Sequence, residues 1–203
     1  NLNADFLKAL QLCASRKGRV VVSGIGKSGH IARKIAATLS STGQPSFFVH
    51  PAEACHGDLG MITKEDALLV LSNSGETVEL SGLIHYSRRF AIPLIAITSN
   101  PESSLAQCAD VSLILPPVKE ACPMGLAPTT STIMMLALGD ALAVTLLSKR
   151  RFSSQDFYVF HPGGNLGQSL LKVQDKMHGE EKLPLVHQAQ KMGDVLLVMT
   201  SKG

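Results

Sequence analysis

The sequence predicts a three-layer, doubly wound α/β sandwich built on a five-stranded parallel sheet. Three observations carry that reading. Short apolar runs recur along the chain, at RVVVS, PSFFVH, ALLVLS, PLIAITS and DVSLILP. They are continuous rather than alternating, as strands are when helices cover both faces of a sheet. Helical patterns separate most of them, and strands alternating with helices imply right-handed crossovers and parallel pairing.

In chain order, ADFLKALQLCASRK (4–17) reads as a helix and RVVVS (19–23) as a short buried strand. Residues 27–41 read as a helix, PSFFVH (45–50) as the second strand and ALLVLS (67–72) as the third. ETVELSGLIHYSRRF (76–90) is helical, PLIAITS (93–99) is the fourth strand and DVSLILP (110–116) the fifth. TTSTIMMLALGDALAVTLLSKR (129–150) is a long helix with Gly139 as its only glycine. Its apolar positions nearly encircle it, so it must be buried, either centrally in a monomer or against another subunit. FSSQDF offers a serine cap to a short helix, and HPGGNLG (161–167) is a glycine-rich turn. From Val173 the chain is more polar and carries its own strand-like LLVMTS. We therefore place one domain over 1–172, and over 173–203 either the beginning of a truncated second module or a docking tail.

Composition narrows the function. At 203 residues the chain holds one good core, or one domain and part of another. A hydrophobic content of 45% and a mean hydropathy of +0.18 argue against disorder. The net charge of +3 is scattered, with no Lys/Arg block, so no nucleic-acid partner is expected. The chain has no Trp and only 4% aromatics, which disfavours a stacking platform for bases. Cys13, Cys55, Cys108 and Cys122 are isolated, so neither a zinc ribbon nor a disulfide framework follows, and a reducing compartment is expected. The run IMMLALGDALAVTLL carries Asp140 and is too short to span a bilayer. No signal peptide is visible, although the chain begins at Asn. The expectation is a cytoplasmic protein without a membrane partner.

The segment SGIGKSG (23–29), between the first strand and its helix, admits three readings. A nucleotide P-loop needs a glycine where Val21 stands, so the loop is too short to wrap a triphosphate. The dinucleotide pattern Gly24-x-Gly26-x-x-Gly29 matches, but it needs an acid at the end of the second strand. That strand ends in His50 and Pro51, with Glu53 only later. A second loop, SNSGET (72–77), decides the comparison. Ser23 and Ser28 on one loop and Ser72, Ser74 and Thr77 on the other make a ring of short hydroxyls. Both loops open helices, whose free N–H groups and dipoles attract an anion. Ordinary capping accounts for any one of these hydroxyls, but five at two strand ends suit a phosphate monoester with a polyhydroxy tail. A sugar phosphate is the expected ligand.

SGIGKSGHIARK together with LSNSGET resembles the sugar isomerase (SIS) domain family. HPAEACHGDLGMI, KEACPMGLAPTTST and HPGGNLG narrow the likeness to its arabinose-5-phosphate isomerases. The resemblance spans roughly 18–172. It implies the SIS fold, interconversion of ribulose 5-phosphate and arabinose 5-phosphate for Kdo and lipopolysaccharide synthesis, a homotetramer, and no organic cofactor. VQDKMHGEEKLPLV resembles the start of a CBS module, which often follows this domain.

An aldose–ketose isomerase moves a proton between C1 and C2 through an enediol. It needs a base at carbon, an acid/base at the oxygens and a positive charge for the enediolate. Lys27 sits at a helix N-terminus, where the dipole disfavours a cation, so a role at the phosphate or the enediolate is expected. Glu79 is a candidate carbon base, and the resemblance favours it over Glu76. His50 and His56 flank one loop; they suit substrate oxygens, ring opening or a metal. Two histidines lack a third ligand, so zinc at His50 is expected to be adventitious or inhibitory. Glu120 beside Lys119 reads as an exposed pair by itself, and the resemblance in KEACP implies a site role. His161 is assigned acid/base work between O1 and O2, and either it or Glu79 is the carbon base. Two rivals remain: an isomerase of another phosphosugar, and a non-catalytic sugar-phosphate sensor. A sensor needs the hydroxyl ring but not Lys27, Glu79 and His161 together.

Overall fold

The structure, a computed structural model, describes residues 4–161, 164, 168–179 and 182–202. They form two compact units, one running to Phe160 and the other beginning at His161. The first contains α1 (Ala4–Ser15), β1 (Val20–Gly24), α2 (Gly26–Ser41), β2 (Ser46–Val49), α3 (Pro51–Cys55) and β3 (Ala67–Leu71). It continues with α4 (Ser81–Phe90), β4 (Leu94–Thr98), α5 (Ser104–Cys108), β5 (Val111–Ile114), α6 (Thr130–Lys149) and α7 (Ser154–Phe160). Single 3-10 turns, Asp58–Met61 and Val78–Leu80, lead into β3 and α4.

All five strands pair in parallel, in the order β2-β1-β3-β4-β5. Successive side chains on a strand face opposite ways, and here both faces are covered. Val20 and Val22 join Leu69, Leu71, Ile95 and Ile97 beneath α1, α2 and α6. Val21 joins Leu68, Val70, Leu94 and Ala96 beneath α3, α4 and α5. This double burial explains why the strands read as unbroken apolar runs. The short helix α3 lies where the sequence reads as a loop between His50 and His56, and α5 is a further short helix between β4 and β5. Pro51 opens the first of them, and Ser103 caps the second by accepting from the Ala106 amide at 3.3 Å.

A buried carboxylate locks the N-terminal ends of the central strands. Asp66, with its side chain 1% exposed, accepts from the Arg19 amide at 2.6 Å, the Arg19 guanidinium at 3.1 Å and the Thr63 amide at 2.8 Å. Burial alone would raise its pKa, but these donors outweigh it and hold the carboxyl below the usual range. Its stabilisation is therefore full above an unfolded value of about 3.9 and lost as pH falls further. Asp66→Ala is expected to cost about 3 kcal/mol, read as a lower urea midpoint at neutral pH. An unchanged midpoint would refute this account of the lock.

Within this chain the long apolar helix is buried on one face only. One face of α6, carrying Met135, Leu142, Ala143 and Leu146, is buried in the core. Gly139 lets Ile35 of α2 approach to a distance no side chain would permit, and Lys34 bonds Asp140 at 2.6 Å. The other face leaves Ile133 67% and Val144 57% exposed. α6 is 20 residues long and holds an 18-residue window of mean hydropathy 1.7, long and apolar enough for a membrane span, as the core helix of a soluble protein can also be. This corrects the length argument drawn from its shorter apolar run.

In the second unit, LLVMTS lies within the helix Met192–Lys202 and is not a strand. A short apolar run does not distinguish the two. Local bonds decide for the helix: Asp194 N–H donates to Lys191 O, and the Thr200 and Ser201 hydroxyls donate to carbonyls three and four residues back. Of the turn HPGGNLG, Pro162, Gly163, Asn165, Leu166 and Gly167 lie outside the described residues.

Candidate functional site

The strand order places the two loops side by side. β1 and β3 are neighbours, with Gly24 opposite Leu71. The chain leaves β1 toward β2 on one side and reaches β3 on the other. The crevice between their carboxyl ends is the topological switch point of a 2-1-3-4-5 sheet, where ligands bind. The SGIGKSG segment runs out of the end of β1 and SNSGET follows β3, so both loops border this crevice.

The first loop turns tightly because of Gly29. A Cβ there would come within 2.7 Å of the Gly24 carbonyl oxygen. α2 begins on Ile25, which supplies no side-chain cap. The first-turn amides of Gly26, Lys27 and Ser28 thus have no intrahelical acceptor and are left for an anion. Lys27 is exposed and forms no ion pair among the described residues. Ser28 is half-buried. Ser23 is different: it is fully buried, and its hydroxyl donates to Val49 O at 2.7 Å, tying β1 to β2. It leaves the expected hydroxyl ring because it lies within the strand and not on the loop.

The second loop is organised by its own hydroxyls. Ser72 Oγ accepts from the Gly75 amide at 3.0 Å and shares a 2.8 Å hydrogen bond with Thr77 Oγ1. Ser74 Oγ is exposed and accepts from the Glu76 amide at 3.3 Å. Gly75 has φ of +71°, and its carbonyl accepts from the Leu105 amide at 3.1 Å.

The two acids after this loop have separate fates. Glu76 bonds the Ser104 hydroxyl at 2.7 Å and its amide at 2.8 Å, and these bonds lower its pKa. It is committed to starting α5. Glu79 stands in the 3-10 turn, anchored by fully buried Leu80, and is exposed with no bonded partner among the described residues. The expected helix over 76–90 is therefore split, and the split is what presents Glu79.

His50 ends β2 and precedes α3; its Nδ1 is buried without a hydrogen-bond partner. His56 follows α3 and is exposed. Among the described residues no three His, Cys, Asp or Glu side chains converge, so His50 finds no ligating set there. A cavity of about 230 Å³ beside the first loop is lined by Gly26, Gly29, His30, Arg33, Phe48 and His50. Arg33 lies 4.0 Å over the Phe48 ring. The sequence reading passed over His30 and Arg33. Their offsets of four and seven from Gly26, one face of a helix, were the signal.

Glu120 is held more firmly than an exposed pair would be. Its carboxylate accepts from the Ser131 hydroxyl, the Thr129 amide at 2.7 Å and the Thr129 hydroxyl at 3.0 Å. These bonds lower its pKa to about 2 and clip the 120–131 loop to the start of α6. Followed by carbon-13 NMR, the Glu120 carboxyl is expected to titrate about there, not near the ordinary ~4.3. An ordinary midpoint would mean that the clip is not made in solution. His161 belongs to the second unit, so its role rests on the sequence alone.

A family model described as the SIS domain matches residues 14–145. The chain belongs to the SIS domain family. It is 56% identical over 200 residues to arabinose 5-phosphate isomerase KdsD of Pseudomonas aeruginosa, covering 98% of this chain and 61% of that protein. It is 53% identical over 202 residues to KdsD of Escherichia coli K12, covering 99% and 62%. The chain thus spans about three fifths of the length of these curated relatives. Among solved SIS domains, an Escherichia coli CFT073 protein in complex with arabinose 5-phosphate superposes with a TM-score of 0.76 at 45% identity, covering 78% of this chain and 85% of that one. A Bacteroides fragilis protein assigned as a phosphosugar isomerase of capsule formation gives 0.78 at 40% identity, covering 81% and 88%.

Proposed function

We propose that this chain is the catalytic SIS domain of an arabinose-5-phosphate isomerase, interconverting D-ribulose 5-phosphate and D-arabinose 5-phosphate in the cytoplasm for Kdo and lipopolysaccharide synthesis. The observation that carries the proposal is the adjacency of β1 and β3, after which one loop offers free α2 amides and Lys27 and the other leads to Glu79. In this reading Ser28, Ser72, Ser74 and Thr77 and the α2 amides hold the phosphate. Lys27 stabilises the enediolate, and Glu79 or His161 moves the proton at carbon. A group held at about 2 is a poor proton acceptor at neutral pH, so Glu120 serves by fixing its loop. His50 and His56 meet the sugar oxygens, and zinc at His50 would inhibit. Proton transfer through an enediol needs acid/base groups and a positive charge, so no cofactor is required. The reading includes a homotetramer, supported by the uncovered apolar face of α6. It also includes a CBS module beginning in 173–203, supported by the greater length of the relatives.

The test is incubation with ribulose 5-phosphate in deuterated water. Arabinose 5-phosphate bearing deuterium at C2 is expected. Phosphate binding by folded protein without turnover would overturn the isomerase reading and leave a sugar-phosphate sensor.

A further inference from the structure

At the opposite end of the sheet from the two loops lies a cavity of about 290 Å³, lined by Arg16 and Arg88 with Asp110 and a floor of Leu12, Ile92 and Pro93. Its position follows from the chain: Pro93 immediately precedes β4 and Asp110 immediately precedes β5, whereas the loops follow β1 and β3. A strand of five residues at about 3.3 Å each puts the two ends roughly 16 Å apart.

The charges in this cavity do not balance. Asp110 is already shared: Oδ1 accepts from Arg88 at 3.2 Å and Oδ2 from the Leu94 amide at 2.8 Å. The Arg16 side chain, just beyond α1, makes no hydrogen bond or ion pair among the described residues, and its Nε is buried without a partner. That N–H is an obligate donor, because a guanidinium does not deprotonate in a protein. A buried donor without an acceptor is costly, and with no protein acceptor among the described residues the Arg16 guanidinium that lines the cavity keeps its charge uncompensated. The planar guanidinium fork matches carboxylate and phosphate oxygens in pairs. The volume falls at the small end of ligand pockets.

We propose that this basal cavity binds a small oxyanion on a short apolar stem, a carboxylate or a phosphate. Arg16 and Arg88 are the donors, and Leu12, Ile92 and Pro93 contact the stem. It is a second anion site, separate from the switch-point crevice.

Amide NMR of the folded chain tests it, with inorganic phosphate and butyrate as probes. At least one probe is expected to shift the Ala91 and Ile92 amides, and which one does so identifies the anion class. Phosphate is also expected to shift Gly75 and Glu76, reporting the crevice independently. Arg16→Gln should weaken the basal response about tenfold or more while leaving the Gly75 response unchanged. Arg16→Lys, which keeps the charge but loses the fork, should fall between and carries the test if Arg16→Gln does not fold. The proposal is overturned if neither probe moves the basal amides, or if their response survives both substitutions. It is equally overturned if Ser74→Ala abolishes the basal response, since the shifts would then be relayed from the crevice.

Discussion

Replacing Glu79 by glutamine is expected to lower kcat for ribulose 5-phosphate isomerisation by about 10²–10⁴, with KM little changed. Glutamine keeps the volume and hydrogen-bonding reach of the side chain but accepts no proton. Because Glu79 is exposed and bonds no described neighbour, the fold should not register the change. Glu76→Gln provides the contrast, because that carboxylate holds Ser104 at 2.7 and 2.8 Å. Its loss should be felt as looser packing of α5, with kcat much less affected. Steady-state kinetics beside thermal unfolding would separate the two. Near-normal turnover in Glu79→Gln would remove this residue from the mechanism.

Gly75→Ala is expected to be the most damaging single-methyl change in the second loop. A φ of +71° strains any L side chain, and a Cβ at this position would lie 2.0 Å from Ser103 Oγ. Ser103 cannot simply move, because its hydroxyl donates to Asn100 O at 2.8 Å and caps α5. Strain and overpacking together are expected to cost about 3 kcal/mol, a fall in Tm on the order of 10 °C for a chain of this size. Phosphate affinity should fall as well, since the loop's geometry is set here. Introducing Ser103→Gly beside Gly75→Ala should recover the packing part and leave the backbone strain. If Gly75→Ala alone proved as stable as the parent, the loop would not have the conformation described.

Much of this site was legible in the chain because the local signals agreed. SGIGKSG and SNSGET each stand between an apolar strand and a helix, and glycine with serine at such a junction points to an anion. Ser23 misled because a hydroxyl at the end of a strand looks, in sequence, like one on the following loop. Its orientation depends on the strand's register against Val49, which sequence spacing does not report. Residue type alone did not separate Glu76 from Glu79, although the family resemblance favoured Glu79. The position of Ser104, 28 residues away from Glu76 along the chain, supplies the physical reason, because it occupies the Glu76 carboxylate.

By itself the sequence determined the fold class, the five strands of the sheet and the two glycine- and serine-rich loops at strand–helix junctions. Buried parallel strands must be apolar on both faces, and a loop that approaches an anion must be small and hydroxylated. The tertiary structure alone decided the rest. It brought the loops together through the adjacency of β1 and β3, turned Ser23 inward and fastened Glu120 to α6. It also left the Arg16 Nε buried without an acceptor at the far end of the sheet. Each of these outcomes depends on a partner distant in the chain. Local pattern specifies what a segment can form, while pairing and burial fix which of its polar groups remain free.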